Sequence, residues 1–318
     1  MLGPNIGMYC LEVGKGSATA IIEPIPNRTP AAFQATIVDV GEKGVRLAQW
    51  LQANGVDRIP AILLTHNDAD HIGSLTALVQ AYKGKIGKLR FVVDRGRKPP
   101  FWFPAQKWAQ DGWGQDLDIM GTSVFARPGA GTLLVGADDD VGFRLYCAYP
   151  PKIWGIGFLA KFDLLWNFFS GGANQLSAVL RLTPPNANMP TLSLFGGDLD
   201  YKGWRYLADS KHDLHTQVLL VPHHGGPQRR SQKFGATELA GAAQPNFALI
   251  SVGSYNNDHH PHEDLVGALR AAGATVLCTQ ITPQCLLVTP SAVPGEAILP
   301  RLPNLFRLSG AGTACAAE

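Results

Sequence analysis

Residues 65–75 read T-H-N-D-A-D-H-I-G-S-L and offer two imidazoles and two carboxylates in close succession: His66, Asp68, Asp70 and His71. The apolar run before them, residues 61–65, has the character of a buried strand, and an amphipathic helical pattern starts at Ile72. The four side chains therefore crowd one short loop between a strand end and a helix start. Divalent cations held about 3.5–4 Å apart need many ligands delivered compactly, and this spacing supplies them. A polar loop in which Asp70 caps the helix would account for one carboxylate and for neither histidine.

Three further clusters share that location. In LFGGDLD, a strand runs into Gly196 and Gly197, and Asp198 emerges where the backbone permits close approach. In LLVPHHGG, His223 and His224 follow an apolar strand directly. In ISVGSYNNDHHPHEDLVGAL, His259, His260 and His262 stand between a strand and a helix. Taken singly, an Asp after two glycines is turn chemistry and a surface histidine is commonplace. Jointly, seven of the nine histidines fall at strand-to-loop junctions, and independent structural accidents would not need the same topological location each time.

This order of motifs resembles the metallo-β-lactamase superfamily, and within it the hydrolase domain of ComEC-type DNA-uptake proteins. The superfamily's H-x-H-x-D-H is matched by His66-x-Asp68-x-Asp70-His71, with aspartate replacing the second histidine in the ComEC-type manner. LEVGKGSATAII is similar to the opening VGxGD-type strand pair, with Ser17 where an aspartate is usual, and TIVDVG to the strand ending in a first conserved aspartate, here Asp39. Asn174 and Ser177 resemble an N-x-x-S stretch, His223-His224-Gly225 the HHG motif, and Asn256 through Pro261 the N-x-x-x-HP motif with His260 before the proline. The resemblance runs over about residues 10–290 and is weak between 95 and 172.

The resemblance implies an α+β protein built as a four-layer αββα sandwich, with two divalent metal ions, zinc or manganese, at one edge. On that pattern His66 and Asp68 hold one ion, Asp70 and His71 the other, and Asp198 bridges them. His223 and His260 complete the shells, Asp39 orients the 66–71 loop from behind, and His224 faces the substrate. Whether His223, His224 or both bind metal stays open at this point. Attack by a metal-bridged hydroxide is the expected reaction, with Asp70 and His224 as its catalytic side chains. The favoured substrate is a phosphodiester in DNA, RNA or a nucleotide, contacted by Arg229, Arg230, Asn174 and Ser177, with Arg95, Arg97 and Lys98 as a second basic cluster. Two other classes stay open: hydrolysis of carbon esters, lactones, thioesters or amides, and a non-catalytic binding or assembly role. Trp102, Trp108, Trp113, Trp154 and Trp166 would serve either an apolar pocket or base stacking.

The elements that must position these residues are short. The chain has 318 residues, 46% hydrophobic and 16% charged, with 35 Gly and 23 Pro, a composition for tight connections more than for long helices. A formal charge of +2 neither demands nor excludes a nucleic-acid partner, since a basic patch can exist on a nearly neutral protein. Cys10, Cys147, Cys278, Cys285 and Cys315 include no C-x-x-C pair, which predicts buried thiols in a reducing cytosol. No export signal is evident, and the apolar stretch 153–169 is broken by Lys161 and Asp163, too short and charged to span a membrane. The expectation is a free-standing cytoplasmic protein and not a channel.

Strands are predicted at 17–22, 35–40, 61–65, 91–94, 177–182, 191–195, 217–221, 247–252, 275–278 and 285–288, and helices at 44–53, 72–82, 238–243 and 263–272. Residues 1–290 form one hydrolase domain on this reading, with an insertion at about 95–172 that walls the cleft. A Pro-, Gly- and Ala-rich tail, 291–318, is expected to be a loosely packed strap.

Overall fold

The computed structural model describes residues within 6–92, 114–120, 132–149, 177–226, 235–279, 306–309 and 313–314, with short gaps at 12, 14–15, 29–30, 43–44, 67, 186–189, 211 and 254–259. Its strands form two sheets. The first contains β1 (Gly7–Leu11), β2 (Ala18–Pro24), β3 (Phe33–Val40), β4 (Val56–Leu64), β5 (Ile86–Val92), β6 (Gly114–Met120) and β14 (Phe306–Ser309), in the order β14-β1-β2-β3-β4-β5-β6. The second contains β7 (Thr132–Val135), β8 (Arg144–Tyr149), β9 (Val179–Thr183), β10 (Ser193–Phe195), β11 (Val218–Leu220), β12 (Phe247–Ile250), β13 (Thr275–Cys278) and β15 (Thr313–Ala314), in the order β15-β13-β12-β11-β10-β9-β8-β7.

Strand alternation assigns each apolar residue to a layer. Along β4, Ala61 and Leu63 face the other sheet, while Ile62 and Leu64 face outward, because successive side chains point to opposite faces. The inward set meets Leu145, Leu180, Phe195, Leu220 and Leu249 of the second sheet. The outward set packs under α1 (Arg46–Ala53) and α3 (Leu75–Ala81) through Leu47, Leu51, Leu75 and Leu78. The second sheet's outer face, with Leu194, Leu219, Ala248 and Val276, is covered by α4 (Tyr201–Asp209), α5 (Ala236–Ala243) and α6 (Glu263–Ala271). Helix, sheet, sheet, helix is the expected αββα sandwich. Strands covered on both faces read as continuous apolar runs, which is why AILL shows no polar alternation.

The parallel pairs decide where the loops go. β3 and β4 run parallel, as do β10, β11, β12 and β13, so their C-terminal ends lie together within each sheet. At the other end of β3 the sheets are tied by a polar network. Glu23 accepts from Gln34 Nε2 at 2.9 Å and from the Gly142 N–H at 2.8 Å, and Gln34 also donates to the Asp140 carbonyl at 2.7 Å. Arg58 Nε donates to Gln34 at 2.6 Å, and Lys88 pairs with Asp139. Four consecutive strands, β2 to β5, thus each send one side chain to the turn between β7 and β8.

Several local expectations are corrected. The helix expected over 72–82 is two pieces, α2 (Ala69–Ile72) and α3, separated by the Gly73–Ser74 turn. β5 begins earlier than expected, at Ile86. Helix α4 was not predicted, although Asp200 caps it by accepting from the N–H of Lys202 and Gly203, and Trp204 and Leu207 bury its inner face. Much of the expected insertion and tail lies outside the described residues. Within them, β6, β7 and β8 extend the two sheets, and β14 and β15 pair with β1 and β13, so these stretches add strands to the sandwich. The strand expected at 285–288 lies outside the described residues.

Candidate metal centre

Residues from the ends of five strands meet where the two sheets share an edge. Asp39 closes β3, Thr65 and His66 follow β4, Asp198 follows β10, His223 and His224 follow β11, and Ser251 follows β12. Asp68, Asp70 and His71 come from the start of α2. Asp39, His223 and His224 have left-handed backbones, with φ of +55°, +53° and +52°. A side chain raises the energy of that conformation, and such strain concentrates at functional positions. Gly197 (φ +51°) makes the approach of β10 possible, since a Cβ there would lie 2.3 Å from Ser177 Oγ.

Three histidines are held by Nδ1 and present Nε2 inward. His71 Nδ1 is 2.8 Å from Asp39 Oδ2, and a carboxylate only accepts, so the proton is on Nδ1. His224 Nδ1 is 2.8 Å from the Ser251 carbonyl, which sets the same tautomer. His66 Nδ1 lies 3.1 Å from Thr65 Oγ1 and 3.3 Å from Ser177 Oγ. The inward nitrogens meet carboxylates: His66 Nε2 is 3.5 Å from Asp198 and 3.6 Å from Asp68, while His71 Nε2 is 3.1 Å from Asp198. His224 Nε2 is 3.4 Å from Asp70 and 3.7 Å from Asp198.

Two sets of atoms converge closely enough to hold a cation: His66, His71 and Asp198, and Asp70, His71 and His224. Two observations show that the donors fit one. His66 Nε2 and Asp198 Oδ1 are buried without a hydrogen bond, a costly condition for polar atoms that a bound cation relieves. His71 Nε2 and His224 Nε2 face each other at 3.2 Å although each ring already carries its proton on Nδ1, so a proton or a cation must stand between the lone pairs.

The charges compensate each other when no cation is present. Burial and His71 push the His66 pKa down, but Asp198 and Asp68 outweigh them and it lies above the ordinary value. Burial opposes the charged form of His71 too, yet Asp198 and Asp39 hold its pKa well above the ordinary range. Asp198 is driven up by burial and pulled well below the usual carboxylate range by His71, His224 and His66. Asp70, also opposed by burial, is pulled down to about 2 by His224 and His71.

Several expected placements change. His224 joins the converging group, whereas His223 and His260 stand outside both sets, their rings 5.3 Å apart. The left-handed turn at both residues of the HHG segment breaks strand alternation, which is what sends the second imidazole inward. Ser177, expected to touch substrate, is fully buried; its hydroxyl accepts from the Asp198 N–H at 2.8 Å beside His66 Nδ1, so it braces the site from behind. Asp39 lies behind the 66–71 loop, accepting also from the Thr65 N–H and hydroxyl at 2.8 Å each. Asp68 is half-exposed at the rim. Asn174, Arg229, Arg230, Arg95, Arg97, Lys98 and the five tryptophans lie outside the described residues. The sequence reading missed Thr65, although it begins the motif, and Ser251, which no local pattern marks.

Residues 34–146 match the family model of the Metallo-beta-lactamase superfamily. The chain is 25% identical over 242 residues to ComE operon protein 3 of Bacillus subtilis (strain 168), covering 76% of this chain and 26% of that protein. It is 27% identical over 234 residues to Competence protein ComA of Neisseria gonorrhoeae, covering 73% and 26%. The chain thus spans about a quarter of the length of these curated relatives. Among solved structures it is similar to the metallo-beta-lactamase fold protein YhfI from Bacillus subtilis, with a TM-score of 0.48 and 12% identity over 86% of this chain and 95% of that one. A diphosphatase from the PhnP family gives a TM-score of 0.39 and 8% identity over 74% and 72%.

Proposed function

We propose that this chain, which carries a metallo-beta-lactamase domain, is a metal-dependent hydrolase acting on phosphodiester bonds, with two divalent ions, zinc or manganese, as its cofactors. The observation that carries the metal reading is the pair of converging donor sets with Asp198 between them, its carboxylate 3.5 Å from His66 and 3.1 Å from His71. His66, Asp68 and Asp198 would hold one ion, and Asp70, His71, His224 and Asp198 the second. Bound there, the ions would supply Lewis-acid activation of water and neutralise charge on substrate oxygens.

The chain's own residues prepare that chemistry. Asp39 sets Nδ1 protonation in His71 and the Ser251 carbonyl does so in His224, while the Thr65 and Ser177 hydroxyls hold the His66 ring, so each Nε2 is aimed inward before anything binds. His223, half-buried beside this group, takes the substrate-facing role first assigned to His224. Burial holds its pKa below the ordinary histidine value, so the neutral ring can donate or accept a hydrogen bond at the substrate. The ComEC-type aspartate at position 68 and the similarity to a ComE operon protein and a competence protein support DNA, RNA or a nucleotide as substrate, with Arg229 and Arg230 as its phosphate contacts.

Purified protein assayed with bis-p-nitrophenyl phosphate, single-stranded DNA, a lactone and nitrocefin, each with added Mn²⁺ or Zn²⁺, tests the reading. Phosphodiester cleavage should exceed the others and fall by orders of magnitude in Asp70→Asn while the melting temperature changes little. Turnover of the lactone or nitrocefin without phosphodiester cleavage would assign the site to carbon-centred hydrolysis.

A further inference from the structure

Ser251 is an almost fully buried residue just past β12 that joins three parts of the site's wall. Its carbonyl accepts the Nδ1–H of His224 at 2.8 Å. Its hydroxyl donates to the carbonyl of Gly16 at 2.7 Å, a contact between residues 235 positions apart. The Gly16–Ser17 segment in turn lies against the loop that carries Asp70: the Ser17 N–H donates to the Asp70 carbonyl at 3.1 Å. A Cβ on Gly16 would lie 1.9 Å from that same carbonyl oxygen, so the two backbones touch and no other residue fits there. One residue therefore orients His224 with its backbone and, with its side chain, holds the segment that fixes the backbone of Asp70.

We infer that Ser251 is a positioning residue that couples His224 to Asp70, across the two sheets, so that the two donors keep one mutual geometry. The inference rests on reading this group as a metal centre, and adds a determinant that the sequence motifs do not single out. His224 is reached from the second sheet and Asp70 from the first, and their ligand atoms lie 3.4 Å apart. Without the Ser251 hydroxyl, Gly16 loses its partner on the second sheet, and the separation of the two donors is left to the looser packing of the loops. Outer contacts of this kind are worth about tenfold to a hundredfold in metal affinity.

The test compares wild type, Ser251→Ala and Ser251→Thr by calorimetric titration with Zn²⁺ and by imidazole ¹⁵N–¹H spectra of the metal-free proteins. Ser251→Ala should weaken zinc binding about tenfold to a hundredfold and blur the single Nδ1-protonated form of His224, and Ser251→Thr, which keeps the hydroxyl, should restore both. Alanine matching wild type overturns the inference, and so does threonine failing to restore what alanine loses. If wild type takes up no zinc, the metal reading fails by itself. The spectrum of metal-free wild type then decides the inference alone, since it requires His224 protonated at Nδ1; that measurement also serves if Ser251→Ala does not fold.

Discussion

The Nδ1–H of His71 donates to Oδ2 of Asp39 over 2.8 Å, and this bond ties a first-sheet strand to the imidazole shared by both donor sets. Asp39 accepts two further bonds from Thr65, so Asp39→Ala strands three buried donors. It should cost on the order of 3 kcal/mol of stability and lower metal affinity about tenfold or more. Asp39→Asn keeps an acceptor oxygen and tolerates the left-handed backbone, so it should fold better than alanine. Thermal melts and calorimetric metal titration check both; wild-type affinity in Asp39→Ala would show that His71 is oriented without it.

Asp198 faces both His66 and His71, so its removal acts on two positions at once. Asp198→Ala should take the metal content from near two ions per chain toward one, because two cations without a carboxylate between them repel. Elemental analysis after dialysis reads the content directly. Two ions retained would place the bridging charge elsewhere.

Asp68 lies 3.6 Å from His66 Nε2 and, as a ligand, would add a hard oxygen donor to the site. Zinc binds the more tightly in the affinity order, but carboxylate hardness favours manganese as the activating ion. Wild type should therefore cleave phosphodiesters faster with Mn²⁺ than with Zn²⁺, and Asp68→His should shift the optimum toward Zn²⁺. An unchanged ratio of the two rates in the variant would remove this position from metal choice.

Glu23 gives a pH signature remote from the site. Burial raises its pKa above the ordinary 4.5, and the bonds from Gly142 and Gln34 and the charge of Arg58 only partly offset this. A raised folded-state pKa means that its contribution to stability is fully present below 4.5 and is lost as pH rises through the folded value. Glu23→Gln has no such titration, so the stability difference between variant and wild type should move in the variant's favour as pH increases from about 4 to 7. Urea denaturation at several pH values measures it, and a constant difference would mean that Glu23 ionises normally.

What could be read from the sequence was what neighbouring residues determine among themselves. His66, Asp68, Asp70 and His71 run from a strand end into the first turn of α2, and that local geometry delivers His66, Asp70 and His71 to the two donor sets. Sheets with helices outside them were equally legible, since runs such as AILL and FALI are apolar enough to be covered on both faces, while the four-layer order was what the family resemblance implied. Tertiary structure alone brings His224, and not His223, into a converging donor set. Both take left-handed backbones that no alternation rule anticipates, and the deciding contact is a carbonyl from another strand, at Ser251. It likewise placed Ser177, expected to touch substrate, as a buried brace, and recruited Thr65 and Gly16 through bonds to residues tens to hundreds of positions away. Ligand types follow from composition and spacing, but the direction of each imidazole is set by whichever distant group bonds its outer nitrogen, and only the folded chain brings that group there.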